Sequence, residues 1–471
     1  MMILLSIFFL QFTDKVGAER VCLSPTAMEM REARGIAIDS LDYEVSPIYL
    51  DSVQALGATV LHTSRWMNGA TVAASEEVIE VIEACEWVDT VYLTRTATDP
   101  STDVGPVALR KRQTEATYST HTSYANMEQL QQINLPQLHQ AGYKGQGIRI
   151  GVADGGFYHA DSLAWLPSHQ WLGYTDLTDD KEDIFGRTGD HGTLCLSAIV
   201  AREDEYMGAA IDAEYYLFRT EEQWTESPKE IDNWVAAIEM ADSMGLHIVS
   251  TSLGYTTFDD AEMNFQYADM DGRSSRGAQA AVIAARKGML LVVAAGNDGN
   301  NSWHYLSTPA DADSVLTVGA VDGDGQIAAF SSYGPSADGR VKPEVCAMGR
   351  GTKLINPHDN SIKSGNGTSF ACPLIAGMAA CLWSALPEAS NMEIRERIIR
   401  SADRYDAPNE RYGYGIPDAW MAYTQTTTAI PSMQIEQPSK ARKIMQDGQL
   451  YILYNDEIYN LLGILVFSER R

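Results

Sequence analysis

Basic residues are scarce in this chain. Lysine and arginine together number 35 against 63 aspartates and glutamates, a formal net charge of −28 over 471 residues. That balance repels phosphate backbones and argues against a nucleic-acid partner. It suits a protein that stays soluble and avoids its own copies. Cysteine is sparse as well, with Cys22, Cys85, Cys195, Cys346, Cys372 and Cys381 the full set. None forms a CxxC pair and none stands at zinc-finger spacing from a histidine, which excludes the common structural zinc modules. Cys195, Cys372 and Cys381 lie in apolar stretches and read as small buried packing residues. Spacing gives no disulfide pairing. Long apolar runs are the third lack. The run at the front, Met1 to Leu10, is about half of what a bilayer requires. With Val16-Gly17-Ala18 behind it, it reads as a signal-peptide core over residues 1–18, cut after Ala18, although no basic residue precedes it. No stretch reads as a transmembrane helix.

What is present is ordinary for a globular protein, with 45% apolar and 21% charged residues. The length suggests two to four domains. Residues 20–113 suggest a compact α+β module. Gly57 to Leu61 and Gly69 to Ala73 read as strands, Glu76 to Cys85 as an amphipathic helix and Trp87 to Leu93 as a further strand. Asp99 to Ser123 is polar and carries Arg110-Lys111-Arg112, the mark of an exposed and easily cut linker.

From about Gly142 strands and helices alternate. Ile148–Ala153, Glu214–Arg219, His247–Leu253, Met289–Ala295 and Ser314–Val321 are apolar strands. Ile231–Met244, Arg276–Lys287, the run after Ser369 and Met392–Ser401 read as helices. Continuous apolar strands between helices predict a parallel sheet covered on both faces. Function then gathers at the carboxyl ends of the strands, where Asp154 and Asn297 stand. Gly145-Gln146-Gly147 precedes a strand instead of following one, so it is no dinucleotide fingerprint. After Thr424 a polar linker leads to a β-rich tail; together they span residues 426–471, with turns at Asp447-Gly448 and Asn455-Asp456.

Four residues offer nucleophilic chemistry: Ser369, His191, Asp154 and Asn297. Ser369 follows Gly365-Asn366-Gly367-Thr368 and opens an apolar helix, where unpaired backbone N–H groups and the positive end of the helix dipole lie. A hydroxyl there can attack a carbonyl while an N–H steadies the oxyanion. Alone, Ser369 is an ordinary N-cap, His191 a capping histidine, and Asp154 and Asn297 turn residues. The four together, each at an element end, are not explained that way.

From Asn134 to about Tyr423 the chain resembles the subtilisin family of serine peptidases. The segments that carry the resemblance are Val152-Ala153-Asp154-Gly155-Gly156, His191-Gly192-Thr193, Ser252-Leu253-Gly254, Ala294-Ala295-Gly296-Asn297, Gly367-Thr368-Ser369-Phe370-Ala371-Cys372-Pro373 and Tyr412-Gly413-Tyr414-Gly415-Ile416-Pro417-Asp418-Ala419. Gly155, Phe370 and Cys372 depart from the usual choices. The order Asp, His, Ser is the family's. An α/β-hydrolase would need the serine first, in a Gly-x-Ser-x-Gly elbow.

The resemblance implies a subtilisin-like α/β fold, a parallel sheet sandwiched by helices over residues 114–425, and a serine endopeptidase. It implies Ser369 as nucleophile, His191 as base and Asp154 as its orienting partner, with Asn297 and the Ser369 N–H binding the oxyanion. Ser252, Leu253 and Gly254 would pair with substrate backbone, and Ala294, Ala295 and Gly296 would border the specificity pocket. Residues 20–113 would be an inhibitory pro-domain. Met28 to Ile38 and Ser64 to Asn68 resemble the pro-regions of Bacteroidetes-type members. Polypeptides are the substrates expected, and secretion, the periplasm or the cell surface the location. The C-terminal tail resembles sorting or anchoring tails. The chemistry requires no cofactor; structural calcium is a family habit, with acidic loops at Asp176–Asp183 and Asp259–Asp271. The rival reading is a subtilisin-like fold that has lost activity and serves as a binding or surface module.

Overall fold

The computed structural model describes residues 5–96, 124–178, 183–186, 189–203 and 205–425, together with four strands between residues 442 and 468. The chain divides into two compact units, Met1–Tyr423 and Thr424–Arg471.

The first unit opens with a four-stranded antiparallel sheet in the order β2-β3-β1-β4. In chain order its elements are β1 (Ser6–Phe12), α1 (Pro25–Ala33), α2 (Pro47–Ala55), β2 (Thr59–Ser64), β3 (Gly69–Ala74), α3 (Glu76–Glu83) and β4 (Val88–Arg95). Here the expectation for residues 1–18 needs correction. The apolar run read as a signal-peptide core supplies β1, a central strand of this sheet, and the module therefore includes residues well before 20. The physical reason lies in its side chains. Phe8, Leu10 and Phe12 pack into the module's own core with Val45, Val53 and Ile79. Phe9 points the other way, joining Trp66 and Met67 against Trp234 and Ile238 of the next module. A strand buried on both faces reads as one unbroken apolar run, and each such side chain taken from water stabilises by about 1.5–3 kcal/mol. The helices α1 and α2 were also missed, although Ser24-Pro25 and Ser46-Pro47 are serine caps with proline in the first turn.

The larger module begins with α4 (Met127–Gln132) and α5 (Leu135–Gln140). Its seven-stranded sheet is parallel throughout, in the order β13-β12-β11-β10-β5-β9-β6. The strands are β5 (Arg149–Asp154), β6 (Trp171–Asp176), β9 (Glu214–Arg219), β10 (Ile248–Thr251), β11 (Leu290–Ala294), β12 (Leu316–Val321) and β13 (Val345–Met348), with β7 (Arg202–Glu203) and β8 (Tyr206–Met207) forming a small hairpin. The helices are α6 (His191–Val200), α7 (Lys229–Met244), α8 (Arg276–Arg286), α9 (Thr368–Ala385), α10 (Asn391–Arg400) and α11 (Ala419–Thr424). A second hairpin, β14 (Arg350–Ile355) with β15 (Ile362–Asn366), leads directly into α9. The α6 and α9 side packs in one core and the α7 and α8 side in another, so both faces of the sheet are covered as expected. Helix α9 is long and apolar enough to cross a membrane, but 89% of that stretch is buried inside the fold. All six cysteines are free.

The second unit is an antiparallel meander of β16 (Arg442–Gln446), β17 (Gln449–Tyr454), β18 (Glu457–Tyr459) and β19 (Leu465–Ser468). The linker at 426–441, the two expected turns at 447–448 and 455–456, and the polar stretch at 97–123 lie outside the described residues.

Candidate active site

Strand β5 ends at Asp154, whose surface is only 1% exposed. Its Oδ1 accepts the Gly155 N–H at 2.9 Å. Facing it is His191, the first residue of α6, with Nδ1 at 2.8 Å from Oδ1 and 3.0 Å from Oδ2. A carboxylate can only accept, so Nδ1 carries the proton and Nε2 keeps a lone pair. Burial lowers the imidazole's affinity for a second proton; the facing Asp154 carboxylate outweighs it and holds the pKa well above the usual histidine value. The ring keeps 42% of its side-chain surface open. The approach of α6 to β5 depends on Gly192. A Cβ there would stand 2.5 Å from Gly156 O and 2.9 Å from Asp154 Cβ.

Ser369 is the second residue of α9. Its hydroxyl donates to Ser252 O at 3.3 Å and not to the imidazole. Its backbone N–H, in the first helical turn, has no backbone acceptor among the described residues. Four residues later comes Pro373, inside the helix. Proline brings no N–H, so the Ser369 carbonyl loses its intrahelical donor. Two side chains from other elements replace it: Ser252 Oγ donates at 2.8 Å and Cys195 Sγ at 3.3 Å. The serine is thereby tied to the end of β10 and to α6 at once. Sequence reasoning treated Cys195 as packing only; its place four residues after His191, on the same helix face, was the signal.

Asn297 follows β11 and is exposed. Its Oδ1 accepts from the Thr368 N–H at 2.9 Å and from Thr368 Oγ1 at 3.2 Å. Those contacts consume the oxygen and leave the amide N–H groups as donors. Thr368 also bonds Gly296 O at 3.1 Å. One residue beside the serine thus fixes the asparagine, a role the sequence did not announce.

Of the expected substrate-contacting residues, Ser252 is buried, Leu253 half-buried and Gly254 exposed, with neither backbone group of Gly254 in a backbone hydrogen bond. Ala294 and Ala295 bury their methyls in opposite cores, so Gly296 is the open member of that trio. Two groups of metal-ligating type come together among the described residues. One is Asp154, His191 and Cys195, already joined by the Asp–His hydrogen bond. The other is Glu221, Glu226 and Glu230. Burial, largest for Glu221, raises the pKa of Glu221 and of Glu226. In the expected calcium loops, Asp176 is engaged by Thr178 and Arg219, and Asp271 by the Arg273 and Ser274 N–H groups.

Comparison with known proteins follows the same lines. Residues 145–415 match the Subtilase family (Peptidase_S8). The chain belongs to that family. Residues 8–110 match the Peptidase S8 propeptide domain of Bacteroidota, which places β1 inside the propeptide as the fold does. This subtilase is 31% identical over 298 residues to the thermostable alkaline protease of Halalkalibacterium halodurans, covering 62% of this chain and 71% of that protein. It is 26% identical over 399 residues to the subtilisin-like protease SBT6.1 of Arabidopsis thaliana, covering 79% of this chain but only 36% of the plant protein. Among solved structures, MycP1 from the ESX-1 type VII secretion system shares the fold, with a TM-score of 0.51 and 21% identity over 64% of this chain and 86% of that one. The subtilase is a serine endopeptidase made as a zymogen, with a propeptide domain at its front.

In that zymogen the propeptide docks on α7 and α8. Ser64 Oγ and the Arg65 and Trp66 N–H groups converge on the Glu239 carboxylate at 2.5, 2.9 and 3.2 Å. Arg31 and Arg65 both reach Asp242, at 2.7 and 2.6 Å. Lys287, just past α8, pairs with Asp39 and Asp42 at 2.9 and 2.7 Å.

Proposed function

We propose that this subtilase hydrolyses peptide bonds through Asp154, His191 and Ser369. His191 Nε2 takes the Ser369 proton as Oγ attacks the peptide carbonyl, and later returns it to the leaving amine. Asp154 keeps the imidazole in the tautomer that exposes Nε2 and balances its positive charge while protonated. The oxyanion of each tetrahedral intermediate is bound by the Asn297 amide and the Ser369 N–H. Water then releases the acyl group from Ser369. No cofactor enters this chemistry. The propeptide acts as an intramolecular inhibitor until it is cut away within residues 97–123. The mature enzyme works outside the cytoplasm, and the C-terminal meander serves in sorting or attachment.

The observation that carries the reading is the Asp154–His191 contact, one N–H facing both carboxylate oxygens, beside an asparagine whose oxygen is consumed and whose N–H donors are free. The test compares the wild-type chain with Ser369→Ala by intact mass and fluorophosphonate labelling. Wild type should lose its front module and take the label; the variant should stay whole and unlabelled. A wild-type chain that stays unlabelled even after trace trypsin has cut near Arg110 to Arg112 would be an inactive binding fold.

A further inference from the structure

The carboxylates that gather after β9 take no part in the proposed chemistry. We propose that Glu221, Glu226 and Glu230, with the Ser227 hydroxyl, form a calcium site that fastens the segment after β9 beside the catalytic cleft. One oxygen from each glutamate lies within 4.8 Å of the other two. Calcium holds oxygen ligands at about 2.3–2.6 Å, so two on opposite sides of one ion stand roughly 4.6–5.2 Å apart. Magnesium, at about 2.0–2.1 Å and with a strict octahedron, asks for a tighter set. An all-oxygen set also suits a hard cation and not a thiophilic one. Glu226 is exposed, which gives an ion a way in. Asp259, from one of the loops expected to bind calcium, braces this site instead: its Oδ2 accepts the Glu226 N–H at 3.0 Å, and its own N–H donates to Glu226 O at 2.9 Å.

Acceptors left open in the same turn point to a ligand. Ser227 is only 5% exposed, yet its Oγ makes no hydrogen bond among the described residues. Its N–H donates to Glu230 Oε2 at 3.1 Å, which sets that hydroxyl within a side chain's length of the trio. Thr225 Oγ1 is a second buried oxygen without a partner among the described residues. Glu221 uses one oxygen twice, Oε1 accepting from Tyr255 OH at 2.7 Å and from Thr220 Oγ1 at 2.9 Å, and Oε2 takes no hydrogen bond among the described residues. Neither does either oxygen of Glu226. A buried acceptor left unmatched costs about 1–3 kcal/mol, and one ion would engage several at once. Burial, then the charges of Glu221 and Glu226, hold the Glu230 pKa well above the usual carboxylate value; a divalent cation offsets that repulsion. The neighbouring ammonium, Lys229, pairs with Glu222 at 2.5 Å. The place gives the ion a role. Thr220 N–H donates to Asp154 O at 3.2 Å, and Tyr255 directly follows Ser252 to Gly254. Through Glu221, calcium would tie the turn beside the catalytic aspartate to the segment expected to meet substrate.

The test uses the whole chain carrying Ser369→Ala, stripped with EDTA and dialysed, so its outcome does not hang on the serine chemistry. Terbium is the probe, since it takes calcium's oxygen ligands and is excited through a nearby phenol; Tyr255, bonded to Glu221, is placed to do this. Terbium emission should appear on titration and fall as calcium is added, with a calcium Kd of about 10⁻⁴–10⁻³ M, the range of extracellular calcium modules. Magnesium should compete at least tenfold more weakly. Glu226→Gln removes a charge and breaks no side-chain hydrogen bond, and should weaken both terbium and calcium at least tenfold. Glu221→Gln keeps an oxygen for Tyr255 and serves if the first variant does not fold. Calcium should raise the melting temperature of the parent and of neither variant. Emission or a melting shift that survives both substitutions, magnesium that competes as well as calcium, or a parent that binds neither ion overturns the inference and leaves the serine chemistry standing. Failure of wild type to take the fluorophosphonate label overturns that chemistry and leaves this site untouched.

Discussion

The candidate active site and the propeptide seam are both polar clusters set into apolar surroundings, yet they are finished differently. In the seam the acceptors on the peptidase side are used up. Both Glu239 oxygens and both Asp242 oxygens take hydrogen bonds from the propeptide. In the site each group keeps one position open: Nε2 of His191, the amide of Asn297, the N–H of Ser369. Closed positions hold a partner in one register, since a buried ion pair gives fixity more than net stability. Open positions are where a reacting atom can be received. The same chemistry of carboxylates and nitrogens serves holding in one place and reaction in the other.

Changing which positions are open should break this contrast, most severely at Asp154. Asp154→Asn would present an N–H to Nδ1 and favour the tautomer whose Nε2 is already protonated. It should cut kcat by about 10⁴-fold, the size of loss this change causes in a trypsin-type triad. Steady-state kinetics with titrated enzyme would check it. In the seam, Arg65→Ala opens acceptors that were closed. Removing one partner of a buried pair costs about 3–5 kcal/mol. In the whole chain carrying Ser369→Ala, denaturant melts should show that loss, and Leu374→Ala in α9 should cost about 2–5 kcal/mol by leaving a cavity. Only the seam variant should make the propeptide easier to trim with an added protease.

Asn297→Ala deletes an open donor without disturbing the triad. A fall of about 10²–10³ in kcat is expected, the loss known for removal of this donor in subtilisin. The smallest effect is set by pH. Protonation closes Nε2, so activity should appear only as pH rises through the His191 pKa. Because Asp154 raises that pKa, the acidic limb of kcat/KM should lie above the ordinary histidine value of about 6.5. A limb at or below 6.5 would mean the Asp154 contact is not kept in the working enzyme.

The site was legible because its residues sit at element ends with small neighbours, and those patterns are local. Asp154 closes β5, His191 opens α6 and Ser369 opens α9, as read from apolar strands and runs alone. The anchoring role of Thr368 was not legible, since it acts across a gap between segments distant in the chain. The front was misread for a related reason. Tracts such as Met28 to Ile38 and Ser64 to Asn68 betrayed their kinship, and they hold Arg31 and Arg65 of the seam. Strand β1, by contrast, is apolar because two modules bury it from opposite sides, and a single chain segment does not reveal how many neighbours it will have.

That strand has a further consequence, in time instead of space. Strand β1 is made before its neighbours in the sheet, yet β3 and β4, which flank it, come last in the module. While the chain is being made, its most apolar strand lacks its β3 partner until residue 74 has emerged and its β4 partner until residue 95 has. The propeptide module therefore completes its sheet only when β4 is made. Only then is the sheet complete whose Phe9 packs with Trp234 and Ile238 of α7.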